Sequence, residues 1–147
     1  MKFILIGLTA ILCFHSPAYA WTEYKNIRYV DLDGDSADEI VIESKHGAGY
    51  GHYIEDVRIF KDAYPALELM FTQRTLDSYS VDEYNYDVVS IVEFSEPNQK
   101  SGIRDIMTKT EKKYYKDNEH KVFDRTEDLG TKIFKWDGVK FGEANVQ

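Results

Sequence analysis

The chain has 147 residues and a formal net charge of −8, from 26 acidic and 18 basic side chains. An acidic surface disfavours binding to nucleic acid and to anionic lipid, and it suits divalent cations or a basic protein partner. The length fits one domain with a modest core.

Residues 1–20 are predicted to be a cleaved secretory signal peptide. Lys2 gives a positive start, residues 3–14 are mostly apolar, and Ala18-Tyr19-Ala20 has the small-x-small pattern of a cleavage site. The apolar run of about 12 residues is shorter than the ~20 needed to span a bilayer, so no stable membrane insertion is expected after cleavage. We therefore expect residues 21–147 to form a single domain, located in the periplasm or secreted.

The single cysteine, Cys13, would be removed with the signal peptide. Leu12 precedes it at a position where a lipidated cysteine requires a small residue, which argues against a lipoprotein. The mature chain then has 17 basic and 26 acidic residues, a formal charge of −9. A small exported domain without disulfides needs another stabilising device, and a bound metal is an obvious candidate.

The most specific signal is the acidic segment 31–39, which leads directly into an apolar run. Calcium takes six to eight oxygen ligands, and carboxylates at alternating positions of a tight loop converge on one point. Gly34 permits the sharp backbone turn between them. The sequence therefore predicts a calcium site, although a solvated acidic turn without an ion is the alternative. The predicted ligands are Asp31, Asp33, Asp35, the carbonyl of Ala37, and Glu39.

The flanking residues distinguish between known calcium loops. An EF-hand requires glycine at the sixth position and glutamate at the twelfth, where this chain has Ser36 and Ile42. The β-branched run 40–42 favours a strand after the loop. The spacing D-x-[DN]-x-D-x-x-x-[DE] before an apolar strand resembles the calcium loops of FG-GAP and VCBS-type repeats, as in integrin-like β-propellers. Glycine at position four and Glu39 at position nine depart from that pattern.

Alternating apolar residues predict a meander of strands over 39–44, 53–61 and 66–73. Similar patterns predict strands over 86–94 and 103–115. The polar stretch 74–85 is expected to be a loop, and the stretch 114–128 a solvated loop or a hairpin tip. At most a short helix is expected, near 74–85 or 119–128.

The segment 131–141 predicts a terminal hairpin, because Asp137-Gly138 is a strong signal for a two-residue type I′ turn. This ending, with Trp136 before the turn, is similar to the last hairpin of small bacterial exported proteins that carry such calcium loops.

The predicted fold class is mainly β: a small antiparallel β-sheet domain of blade-like meanders with a calcium loop. A complete propeller needs at least four blades of roughly 40–50 residues, which this chain cannot supply. A half-propeller that pairs with another copy is the alternative. Weak similarity between the two halves suggests a degenerate second unit over 86–147.

Residues 45–52 read as a glycine-rich loop and give the first candidate for a partner contact, through His46, Tyr50 and His52. A shared zinc site for the two histidines is less favoured than exposure in a loop. The partner itself, protein or glycan, is not identified.

No catalytic motif is present, so the chain is not expected to be an enzyme. The sequence predicts an exported calcium-binding β domain, a non-catalytic structural or protein-interaction module. The alternative is a periplasmic inhibitor or immunity protein against a cell-wall lysozyme. In that hypothesis, the acidic charge attracts a basic enzyme and the loop 47–53 enters its cleft.

Overall fold

The computed structural model describes residues 21–49, 51–81 and 83–144. Over these ranges the chain forms eight strands and no helix. None of the described residues form a helix long and apolar enough to cross a membrane. The predicted signal peptide and Tyr50 lie outside the described residues. The strands are β1 (Trp21–Val30), β2 (Glu39–Gly49), β3 (His52–Ala63), β4 (Ala66–Val81), β5 (Tyr84–Phe94), β6 (Ile106–Tyr115), β7 (Phe123–Trp136) and β8 (Phe141–Glu143).

The eight strands form one open antiparallel sheet in chain order, from β1 at one edge to β8 at the other. Each strand pairs with its neighbours in the sequence. The prediction of a mainly β, antiparallel meander that does not close into a propeller is therefore confirmed.

The main core lies between the first half of the sheet and the second half. Val41, Ile59 and Phe71 stand opposite one another in β2, β3 and β4, and all three are buried. β4 pairs with β5 only through residues 76–81, so Phe71 lies in the part of β4 that is not paired with β5. The ring of Phe71 meets Phe134 of β7 edge to face, with centroids 5.0 Å apart. Burying each such side chain contributes roughly 1.5–3 kcal/mol.

A second apolar cluster explains why the start of β2 is a continuous apolar run. Ile40, Ile42 and Phe60 are buried together, with Leu67 packed against them. Successive side chains of a strand point to opposite faces of the sheet, so Val41 joins the main core while its two neighbours join this cluster. Both faces of the sheet are therefore apolar next to the acidic segment, which anchors that end of β2.

Two regions predicted as loops are strands. β4 continues to Val81, so the loop or short helix predicted over 74–85 is wrong there. β6 ends at Tyr115 and β7 begins at Phe123, so the loop or hairpin tip predicted over 114–128 is limited to residues 116–122, and the short helix predicted near 119–128 is wrong. Both segments are rich in polar residues, which depress the sequence signal for a strand. Pairing with the neighbouring strand satisfies their backbone. The end of β4 is mostly half-buried, and Ser78 within it is buried. The first ten residues of β7, 123–132, are all exposed.

The terminal hairpin is confirmed, because Trp136 of β7 pairs with Phe141 of β8. The two-residue type I′ turn is wrong, since residues 137–140 separate the paired positions. Gly138 has φ of 102°. The carboxylate of Asp137 accepts hydrogen bonds from the backbone N–H groups of Val139 and Lys140, at 2.8 and 2.9 Å, and these bonds stabilise the longer turn.

Candidate metal centre

The acidic loop, residues 31–38, joins β1 to β2 and is folded by its own carboxylates. Asp31 accepts hydrogen bonds from the backbone N–H groups of Gly34 at 2.8 Å and Ser36 at 3.1 Å. Asp33 accepts one from the N–H of Asp35 at 3.2 Å. Each bond bridges two to five residues, which is the usual way for aspartate to hold a tight turn.

The acidic loop packs against the connector, residues 95–105, which joins β5 to β6. The N–H of Arg104 donates to the carbonyl of Leu32 at 2.9 Å. Gly34 has φ of 80°, and a Cβ placed on it would lie 2.1 Å from the carbonyl oxygen of Ser101. The sequence predicted that the sharp turn requires glycine. The lack of space for a Cβ could not be predicted, because it arises from a contact between distant parts of the chain.

Three acidic side chains converge at this loop. Asp31, Asp33 and Glu39 each offer a carboxylate oxygen, and these oxygens all lie within 4.8 Å of one another. Asp33 and Glu39 are buried, while Asp31 is partly exposed. Oxygen donors without nitrogen or sulfur suit a hard cation such as calcium, magnesium or manganese. The group could therefore hold a metal ion.

Glu39 is the most informative member of this group. Its side chain has no exposed surface. One oxygen, Oε2, accepts a hydrogen bond from the N–H of Leu32 at 2.7 Å. The other, Oε1, is buried and has no hydrogen-bond partner. Burial raises the pKa of the Glu39 carboxyl above its ordinary value. A buried ionised oxygen without a partner is costly, and a cation next to Asp31 and Asp33 would compensate it.

The remaining two predicted ligands are placed differently. The carboxylate of Asp35 accepts hydrogen bonds from Lys61 at 2.6 Å and from the N–H of Ala37 at 2.8 Å. The structure therefore brings together Asp31, Asp33 and Glu39 and directs Asp35 towards a lysine. Asp35 and the carbonyl of Ala37 stay predicted ligands.

Lys61 belongs to this site and was missed by the sequence analysis. Its Nζ donates to both Asp33 and Asp35. These two bonds raise the pKa of Lys61 above its ordinary value, and the bond to Lys61 lowers the pKa of Asp35. Lys61 follows Phe60, which pairs with Ile40 next to Glu39. Only the register between β2 and β3 would have revealed this neighbour.

The two histidines predicted to lie in an exposed loop lie on strands. His46 is buried in β2, so its predicted exposure is wrong, and its ring nitrogens contact Thr22 and Ser44, each at 3.0 Å. His52 begins β3, and its Nε2 contacts Asp77 at 2.6 Å. Gly49 of β2 already pairs with His52 of β3, so the two strands leave no room for an extended loop. The two histidines have separate polar partners, and a role in partner binding stays a prediction for both.

No family model, curated protein or solved structure matches the chain. The structure shows an all-antiparallel sheet of eight strands with an acidic group that could hold a metal ion. The resemblance to FG-GAP and VCBS-type loops stays a prediction.

Proposed function

We propose that the chain is an exported β domain that binds calcium at the acidic loop and serves as a non-catalytic structural or protein-interaction module. The observation that carries the proposal is the buried Oε1 of Glu39, which has no hydrogen-bond partner and belongs to a carboxylate that converges with those of Asp31 and Asp33. The resemblance to FG-GAP and VCBS-type loops supports calcium as the ion and adds Asp35 and Ala37 as ligands.

Calcium fits the loop better than magnesium does. Calcium accepts variable geometry and six to eight oxygens, whereas magnesium requires a near-ideal octahedron and retains several waters. Backbone N–H groups already occupy several carboxylate oxygens of this loop, which favours a cation that tolerates irregular ligation. An ion bound here would connect the loop to the first residue of β2 and so fix the register of the first hairpin.

The test is thermal unfolding of the purified protein with a calcium chelator and with excess calcium chloride. Calcium should raise the melting temperature, because an ion at 100 times its Kd stabilises the folded state by about 2.7 kcal/mol. The double variant Asp33→Ala/Asp35→Ala should lose this response.

A matched control is Asp124→Ala/Asp128→Ala, which removes the same charge from exposed positions of β7 and should keep the response. If the wild-type protein melts at the same temperature with chelator and with calcium, the loop is only a turn and the proposal fails.

The second candidate, an inhibitor or immunity protein against a cell-wall lysozyme, is favoured by the formal charge of −9 of the predicted mature chain. Of its predicted inserting segment, 47–53, the described residues 47–49 end β2 and 52–53 begin β3, so an insertion of that kind would be shallow. Activity assays on a panel of lysozymes, with and without chelator, decide this candidate. Unchanged rates for every enzyme would remove it and leave the calcium proposal intact.

A further inference from the structure

We propose that Lys61 is a built-in competitor of the bound cation and sets the calcium affinity of the acidic loop. This inference rests on the proposed calcium function. It concerns a residue of β3 that lies outside the acidic loop and outside the predicted ligand set.

The geometry makes Asp33 a shared ligand. Asp33 belongs to the group that converges with Asp31 and Glu39, and it also accepts a hydrogen bond from Lys61. The same ammonium group bonds Asp35 at 2.6 Å. A cation that recruits Asp33 therefore has to share this carboxylate with the ammonium or displace it. If Asp35 also ligates, the same competition applies to both bonds of Lys61.

The position of Lys61 is fixed by the sheet. Phe60 is buried and pairs with Ile40 on one side, and Lys61 itself pairs with Glu68 of β4 on the other. The ammonium is thus tethered next to the loop, and a tethered group competes at a high effective concentration. Lys61 neutralises part of the negative charge of the loop before any ion arrives.

Two effects of opposite sign follow from this arrangement. Removing the ammonium eliminates the competitor and its repulsion of a divalent cation, so calcium should bind more tightly. The same change leaves Asp33 and Asp35 without their counter-ion, so the calcium-free protein should become less stable. A lysine with a purely structural role would produce only the second effect.

The experiment measures the Kd for calcium chloride by calorimetry and the melting temperature in chelator, for the wild type and for Lys61→Met. We expect Lys61→Met to bind calcium about tenfold more tightly, given the size of a close charge interaction at a partly exposed site. We also expect Lys61→Met to melt at a lower temperature than the wild type in chelator.

Two control variants separate charge from position. Lys61→Arg keeps the charge at the loop and should bind calcium with an affinity close to that of the wild type. Lys25→Met removes a lysine that forms an ion pair of 2.8 Å with Glu55, away from the acidic loop, and should leave the Kd unchanged.

The calcium affinities of the wild type and of Lys61→Met decide the proposal. Binding by Lys61→Met but not by the wild type would support it, since the lysine then outcompetes the ion completely. If Lys61→Met binds calcium as the wild type does, or more weakly, the inference is overturned while the calcium function stands. If neither protein binds calcium and neither responds to chelator, both proposals fall.

Discussion

In both the acidic loop and the connector, side-chain oxygens accept hydrogen bonds from backbone N–H groups of a turn, but the side chains differ. Both join antiparallel strands at the same end of the sheet, and they contact each other through the N–H of Arg104 and the carbonyl of Leu32. In the connector the acceptors are neutral. Asn98 Oδ1 accepts from the N–H groups of Lys100 at 2.9 Å and Ser101 at 3.3 Å, and Ser95 Oγ accepts from that of Asp105 at 2.9 Å.

A turn needs hydrogen-bond acceptors, and the acidic loop has negative charge in addition. An amide and a hydroxyl are sufficient to hold the connector, so a turn needs acceptors and does not need charge. The acidic loop uses carboxylates for the same purpose, and Glu39, which directly follows it, has one buried oxygen without a hydrogen-bond partner. That surplus of negative charge is the property a cation would use.

The largest loss of stability is expected at the contact between the acidic loop and the connector. Gly34→Ala should destabilise the protein by roughly 3 kcal/mol, because the new Cβ adds strain at positive φ and overlaps the carbonyl oxygen of Ser101. Chemical denaturation in chelator measures this loss without any contribution from an ion.

Gly138→Ala is the matched control for that variant. Gly138 also has positive φ, but a Cβ there meets no atom within 4 Å. It should lose only about 1 kcal/mol, from backbone strain alone. Equal losses for the two variants would mean that the connector yields freely and that the contact does not hold the acidic loop.

A second pair of variants, Glu39→Gln and Asn98→Ala, distinguishes the effect of negative charge from the effect of a hydrogen-bond acceptor. Glu39→Gln keeps the shape and the bond to Leu32 but removes the charge, so calcium should bind about tenfold more weakly or worse. In chelator the same variant should gain about 1 kcal/mol, because a buried, half-satisfied carboxylate is gone. Calorimetry and denaturation in chelator measure the two effects.

Asn98→Ala is the counterpart in the connector. It should lose about 1 kcal/mol, because two backbone N–H groups lose their acceptor. The loss should be equal with chelator and with calcium. If Glu39→Gln behaves in this way too, the charge of Glu39 has no special role.

The smallest effect concerns the turn at the same end of the sheet, between β7 and β8. Backbone hydrogen bonds from Lys140 and Val139 lower the pKa of Asp137 below its ordinary value of 3.8. The stabilising effect is therefore fully present above pH 3.8 and is lost as the pH falls through the lower, folded-state value. Asp137→Ala should melt slightly below the wild type at pH 7. The difference should persist down to the ordinary value and shrink only below it, and a constant difference at lower pH would contradict this explanation.

The sequence predicted those features that depend on local patterns. The spacing of Asp31, Asp33 and Gly34 indicated a tight acidic loop, and the apolar run after it indicated a strand. The features it missed depend on pairing between distant segments. Lys61 reaches the loop through the register of β2 and β3, and His46 is buried because β2 continues beyond its apolar start. The lengths of β4 and β7 were underestimated because parts of both strands are polar. These parts are strands because they pair with neighbouring strands, which the local sequence does not reveal.

The pairing of every strand with its sequence neighbours has a kinetic consequence. Each pairing closes a loop no longer than the connector, so the entropy lost in each closure is small. The sheet can grow by adding one hairpin at a time, whereas the contact between its two halves joins segments far apart in the sequence. We therefore expect the first hairpin, with the acidic loop at its turn, to be among the parts of the chain that can form early in folding.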